Sequence, residues 1–158
     1  MASNPNLPSA DPYDLSRFLH AQAADYEQAL KELRSGKKKS HWMWYIFPQF
    51  QGLGSSSTSR RYSIKSLAET RAYLAHPILG TRLAESVEAV LHHKGKPVSE
   101  IFDYPDDLKL HSCATLFAAV SLEGSLFHEL LEQCFEGVRD SQTVELISQP
   151  HAVRKEQS

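Results

Sequence analysis

Apolar positions recur at helical spacing along most of this 158-residue chain. Between Asp14 and Gly36, the residues Leu15, Phe18, Leu19, Tyr26, Leu30 and Leu33 follow a 3.6-residue repeat. Asp14 or Ser16 is the expected cap and Gly36 the expected stop, while Ala23-Ala24 predicts a break between a short first helix and a longer second one. Ser66-Leu-Ala-Glu69 spells a capping box ahead of Leu67, Tyr73 and Leu74. That helix should stop before Pro77, because the residue preceding a proline avoids the α region. Leu79, Leu83, Val87, Val90 and Leu91 form the next stripe, closed by Gly95, and 98–102 reads as a short helix. Asp106 and Asp107 open a further helix carrying Leu108, Leu110, Leu116, Phe117 and Val120. Another carries Phe127, Leu130, Leu131, Cys134 and Phe135 up to Gly137, and a last one starts at Asp140 with Val144, Leu146 and Ile147. No period-two alternation, hairpin dipeptide or fixed-period repeat interrupts this pattern. It predicts an all-α fold: a compact single domain of six to eight mostly short helices over 13–148, with a flexible leader at 1–12 and a flexible tail at 149–158.

One segment breaks the amphipathic rule. Ser40-His-Trp-Met-Trp-Tyr-Ile-Phe-Pro-Gln49 holds both tryptophans of the chain, and no rotation of a helix through it keeps every large ring from water. Either it is a central buried helix whose indole N–H groups find partners, or one ring, Trp44 or Tyr45, lines a cleft and stacks on a flat ligand. His41 stands at its mouth beside Lys37-Lys38-Lys39, placed to donate to an anion or to serve as a surface cap.

Bulk properties narrow the classes. A mass of 17.8 kDa suits one domain that needs no metal or disulfide to bury a core. Net charge −2 argues against broad nucleic-acid binding, which relies on a strongly basic face. Cys113 and Cys134 each sit in an apolar helical pattern, as small buried hydrophobes, and neither has a second cysteine at metal-ligand spacing. With no signal peptide and no apolar run long enough to span a bilayer, a reduced, cytoplasmic setting is expected, without membrane contact.

Two further stretches could carry chemistry. In 48–58, two glycines and the hydroxyl run Ser55-Ser56-Ser57-Thr58 can present donors to an oxyanion, or simply form a flexible connector. Arg60-Arg61-Tyr62 follows, and an arginine fork suits phosphates and carboxylates. The stretch is neither a P-loop nor a dinucleotide fingerprint. Asp107 and His111, spaced i, i+4, could pair as acid and base, although aspartates at a helix start are favoured by capping alone. His92-His93 point to different faces, and no His-Glu-x-x-His spacing or nucleophile elbow occurs.

The string 40–49, with Gly52-Leu-Gly54, Tyr62-Ser-Ile64, Ala72-Tyr-Leu-Ala-His-Pro-Ile-Leu-Gly80, Pro105-Asp-Asp-Leu-Lys-Leu110 and Thr115-Leu-Phe117, resembles a known family. It is the group of all-helical bacterial and fungal proteins catalogued as domain of unknown function 1810, sometimes labelled calpastatin-like. The resemblance implies a mainly α-helical fold and supplies no activity. The family's usual Gly-x-Pro-Asp-Asp is Asp103-Tyr-Pro-Asp-Asp107 here, and Cys113 stands where serine is frequent. The residues themselves suggest that His41, Gln49, Arg61, Tyr62, His76, Asp107, Lys109 and His111 assemble against Trp42 and Trp44 around a small anionic, nucleotide-like ligand. No cofactor or metal is called for. The alternative is a protein-interaction or regulatory module that uses an exposed apolar patch near the aromatic block.

Overall fold

The computed structural model describes residues 11–149; apart from residues 11, 12 and 149, the expected leader and tail lie outside the described residues. Helix α1 (Ser16–Ser35) runs unbroken through Ala23-Ala24. Alanine is the strongest helix former, so this pair supports continuation rather than the expected break. Neither Asp14 nor Ser16 caps it. Asp14 sits at φ 53°, and the Asp11 carboxylate accepts the N–H groups of Leu15 (2.6 Å) and Ser16 (3.0 Å). Gly36 ends the helix as expected, at φ 85°, where a left-handed conformation lets its N–H reach Leu33 O while Lys37 N–H reaches Glu32 O.

The remaining helices are α2 (Met43–Ile46), α3 (Ser57–Arg61), α4 (Leu67–Ala75), α5 (Leu79–Leu91), α6 (Val98–Ile101), α7 (Asp106–Ala118), α8 (Leu126–Phe135) and α9 (Ser141–Ser148). Nine helices and no strand occur among the described residues. The local signals act as the sequence predicts at several starts. Ser66 accepts from Glu69 N–H at 3.0 Å and Asp140 from Thr143 N–H at 3.0 Å, each satisfying a donor that the first turn leaves free.

Helix α5 is the axis of the molecule, packed against α1, α4 and α8, while α7 packs against α4, α6, α8 and α9. Their shared core contains Phe18, Leu33, Tyr73, Leu79, Leu83, Val87, Leu110, Leu116 and Phe117. Leu108 and Val144, counted among the apolar stripes of α7 and α9, instead face solvent. Gly80 sets the α4–α5 approach: a Cβ there would lie 2.1 Å from the Leu74 carbonyl oxygen. No helix among the described residues is long and apolar enough to cross a membrane.

Candidate functional site

The aromatic block is neither one buried helix nor an open wall. Only Met43–Ile46 is helical, and the segment divides by depth. Trp42 and Phe47 are fully buried and pack with Phe102, with ring centroids 5.9–6.5 Å apart in tilted and edge-on arrangements. Trp44 and Tyr45 are half-buried.

Glu32, on α1 and only 3% exposed, holds the segment in place. Its carboxylate accepts from Lys39 N–H (2.7 Å), Ser40 N–H (2.9 Å), the Ser40 hydroxyl, the Trp42 indole N–H (2.9 Å) and the Gln28 amide (3.0 Å). Burial pushes the Glu32 carboxyl pKa upward. The hydrogen bonds together outweigh that and hold it well below the usual carboxylate range. The indole N–H is thereby satisfied, as a buried tryptophan requires.

After Phe47 the chain forms a closed loop. Phe50 and Ile64 make an isolated parallel bridge, with Gln51 N–H donating to Ile64 O and Ile64 N–H to Gln49 O, both at 2.8 Å. The hydroxyl run inside this loop is not a connector. Ser56 caps it, accepting Ser59 N–H at 3.1 Å, and Ser57–Arg61 become α3. Arg17, 5% exposed, clamps the loop to α1 and α4. Its guanidinium donates to the carbonyls of Arg61 (2.7 Å) and Ser63 (2.8 Å), on either side of Tyr62, and pairs with Glu69 at 2.6 Å. Further bonds go to the Tyr13 and Asp14 carbonyls.

A cavity of about 270 Å³ opens inside the loop, walled by Trp44, Phe50, Tyr62 and the Gln51–Gly54 backbone, with Arg60 and Lys65 also lining it. Gly54 is a close-approach position: a Cβ would meet Ser59 at 2.7 Å and the Trp44 ring edge at 3.0 Å. Gln49 lines the cavity, is 5% exposed, and its side-chain Nε2 is buried without a hydrogen-bond partner. Trp44 also lines a second cavity, of about 330 Å³, with Lys38, His41, Trp42, Tyr45, Ser56, Thr58, Asp106 and Lys109. There the Lys109 ammonium lies 4.4 Å from the Trp44 ring centroid, and the Tyr45 hydroxyl is held by Asp25. Burial, followed by that carboxylate, raises the Tyr45 pKa.

The residues singled out in the sequence thus divide between two cavities. Trp44, Gln49 and Tyr62 meet at the first; His41, Trp42, Trp44 and Lys109 meet at the second. The other four line neither. Arg61 is exposed and lies over the ring of Tyr62 at 5.6 Å; its neighbour Arg60 lines the first cavity, because each helical residue turns about 100°. His76 accepts the N–H groups of Ile78 and Leu79 on Nδ1 and so caps the entry to α5. Asp107 and His111, which the spacing would let pair, do not bond each other. His111 stacks on Phe135 (4.2 Å, 9°) and its Nε2 bonds the Val138 carbonyl at 2.6 Å, while Asp107 Oδ1 is buried without a partner. Arg60, named with Arg61 in the sequence, lines the first cavity; Lys65 and the anchors Glu32 and Arg17 were missed, the anchors because their partners lie far away in the chain, which no local spacing announces.

Burial raises the thiol of Cys113 and that of Cys134, the latter to about 11, so neither is a thiolate at neutral pH. The family model described as "Protein of unknown function (DUF1810)" matches residues 12–147. A conserved hypothetical protein from Mycobacterium tuberculosis, known from its crystal structure, is similar at 47% identity with a TM-score of 0.86, over 88% of this chain and 99% of that one. No curated protein matches this chain. The family match takes in the helical frame and the closed loop together, and the chain belongs to the DUF1810 family of proteins of unknown function.

Proposed function

We propose that this protein binds a small anionic ligand with a flat, nucleotide-like part in the cavity between Trp44, Tyr62 and the Gln51–Gly54 backbone. Gln49 carries the reading. An amide donor buried without a partner costs about 1–3 kcal/mol, and Nε2 of this cavity-lining residue is such a donor. A ligand oxygen or ring nitrogen that accepts from it recovers that cost. The rings of Trp44, Phe50 and Tyr62 supply stacking surfaces for the flat part. Arg60 and Lys65 supply positive charge, and neither pairs with a carboxylate among the described residues.

Binding fits better than turnover. The described residues lining the cavity include no histidine and no carboxylate to act as a base. The hydroxyls of Ser59 and Ser63 already donate to the carbonyls of Ser56 (2.8 Å) and Arg60 (2.9 Å). The test is a thermal-shift panel of nucleotides, NAD-related compounds, sugar phosphates and small carboxylates. A ligand at one hundred times its Kd stabilises by about 2.7 kcal/mol, a shift of several degrees. The shift should vanish in Gln49→Leu and shrink in Arg60→Ala. A panel that moves nothing, or a ligand that shifts Gln49→Leu as much as the wild type, refutes the assignment.

A further inference from the structure

We infer that the cavity on the other side of Trp44 is a second site, built to hold a small soluble oxyanion of the phosphate or diphosphate class. The argument is an inventory of its donors and acceptors. Asp106 is the one carboxylate among the described residues lining it, and both of its oxygens are taken: Oδ2 by Lys38 at 2.9 Å and Oδ1 by Lys109 at 3.2 Å. Two lysines against one aspartate leave one positive charge in excess.

The donors, by contrast, are under-used. An ammonium carries three N–H groups, and Lys109 engages only Asp106 while lying over the Trp44 ring at 4.4 Å. Ser56 Oγ accepts Ser59 N–H, which leaves its own O–H free to donate. The Thr58 hydroxyl and the His41 ring have no hydrogen-bond partner among the described residues. A phosphate or diphosphate anion presents chiefly acceptors, so it matches a concavity in which Lys109, His41, Ser56 and Thr58 all have protons to give. The ring face beneath Lys109 and the carboxylate beside it hold the ammonium in place beforehand, which limits the ordering cost of binding.

The larger concavity beside α8, about 710 Å³, lacks this one-sidedness. There Lys94 and Arg139 stand among Glu123, Glu129 and Glu132, and an anion meets repulsion more often than attraction.

The test is a titration of inorganic pyrophosphate into the full chain at constant ionic strength, followed by NMR of backbone and side-chain resonances. Saturable shifts should centre on His41, Thr58 and Lys109. Lys109→Gln should weaken binding on the order of tenfold or more, and Lys109→Arg should restore much of it. Should Lys109→Gln fail to fold, Thr58→Val removes an exposed hydroxyl and should weaken binding about threefold or more. The inference is overturned by non-saturable shifts, by shifts centred on Gln49 and Tyr62 or on Lys94 and Arg139, or by wild-type affinity in both Lys109→Gln and Thr58→Val.

Discussion

Glu32 offers the sharpest test of how the aromatic segment is held. Glu32→Gln keeps the shape of the side chain, removes its charge, and turns one acceptor oxygen into a donor. The oxygen that now takes Lys39 N–H, Ser40 N–H and the Trp42 indole becomes neutral. The other end of the new amide faces the Gln28 amide donor and the Ser40 hydroxyl. Hydrogen bonds to charged groups contribute about 1.5–3 kcal/mol each, and neutral ones about 1. Several are weakened and one becomes donor against donor, so the expected loss at neutral pH is about 3 kcal/mol. For a chain of this size that is roughly 6–12 °C in Tm. The carboxyl titrates lower in the folded protein than the 4.5 of an ordinary glutamate. Its contribution is therefore whole above that pH and drains as the pH falls below it. The gap between wild type and Glu32→Gln should narrow by about 1.4 kcal/mol per pH unit on further acidification. Urea unfolding followed by circular dichroism, from about pH 7 to about pH 3.5, reads both quantities. A gap below about 0.5 kcal/mol at neutral pH, or one that stays constant on acidification, would refute this account.

Three further predictions rest on other contacts. Arg17→Ala strands the buried Glu69 carboxylate and should cost about 3–5 kcal/mol in denaturant unfolding. Arg17→Lys keeps the charge but not the fork to the Arg61 and Ser63 carbonyls; a lysine variant as stable as wild type would refute that geometry. Gly80→Ala should lower Tm by the equivalent of about 1–3 kcal/mol, although alanine ordinarily strengthens a helix; a rise would show that α4 and α5 do not meet at Leu74 O. Gln49→Leu should raise the Tm of the unliganded protein by about 2–4 °C, because it removes a buried donor without a partner, and a fall would show that Nε2 is bonded.

The helical frame was legible because its signals are local. Ser66 with Glu69, Asp140 with Thr143, and Gly36 act within one turn of chain, and the stripe Leu79, Leu83, Val87 and Val90 needs only periodicity. Helix α3 was hidden because serine and threonine are middling helix formers that equally suit loops; the Ser56 cap and the bridge at Phe50 and Ile64 decide the matter. Around the cavities, aromatic density led to Trp44 and Tyr62, and a place in the same string as Trp44 led to Gln49; all three line the first cavity. Histidine chemistry misled at His76 and His111, where ring nitrogens serve backbone groups. Arg17 finds Glu69 across 52 positions, a pairing that only the folded chain displays.

The Arg17 clamp also bears on how such a protein can change over evolutionary time. By fastening the backbone on both sides of Tyr62, it makes one wall of the first cavity part of the α1–α4 frame. On the opposite wall, Gln51 is bonded to Ile64 O and Gly54 lies close against Ser59 and Trp44, but the half-buried Leu53 between them makes no hydrogen bond among the described residues. Substitutions at Leu53 can therefore reshape what the cavity admits without breaking a hydrogen bond that fixes the loop. A fixed frame carrying one replaceable wall residue lets relatives sharing it diverge in the molecules they recognise.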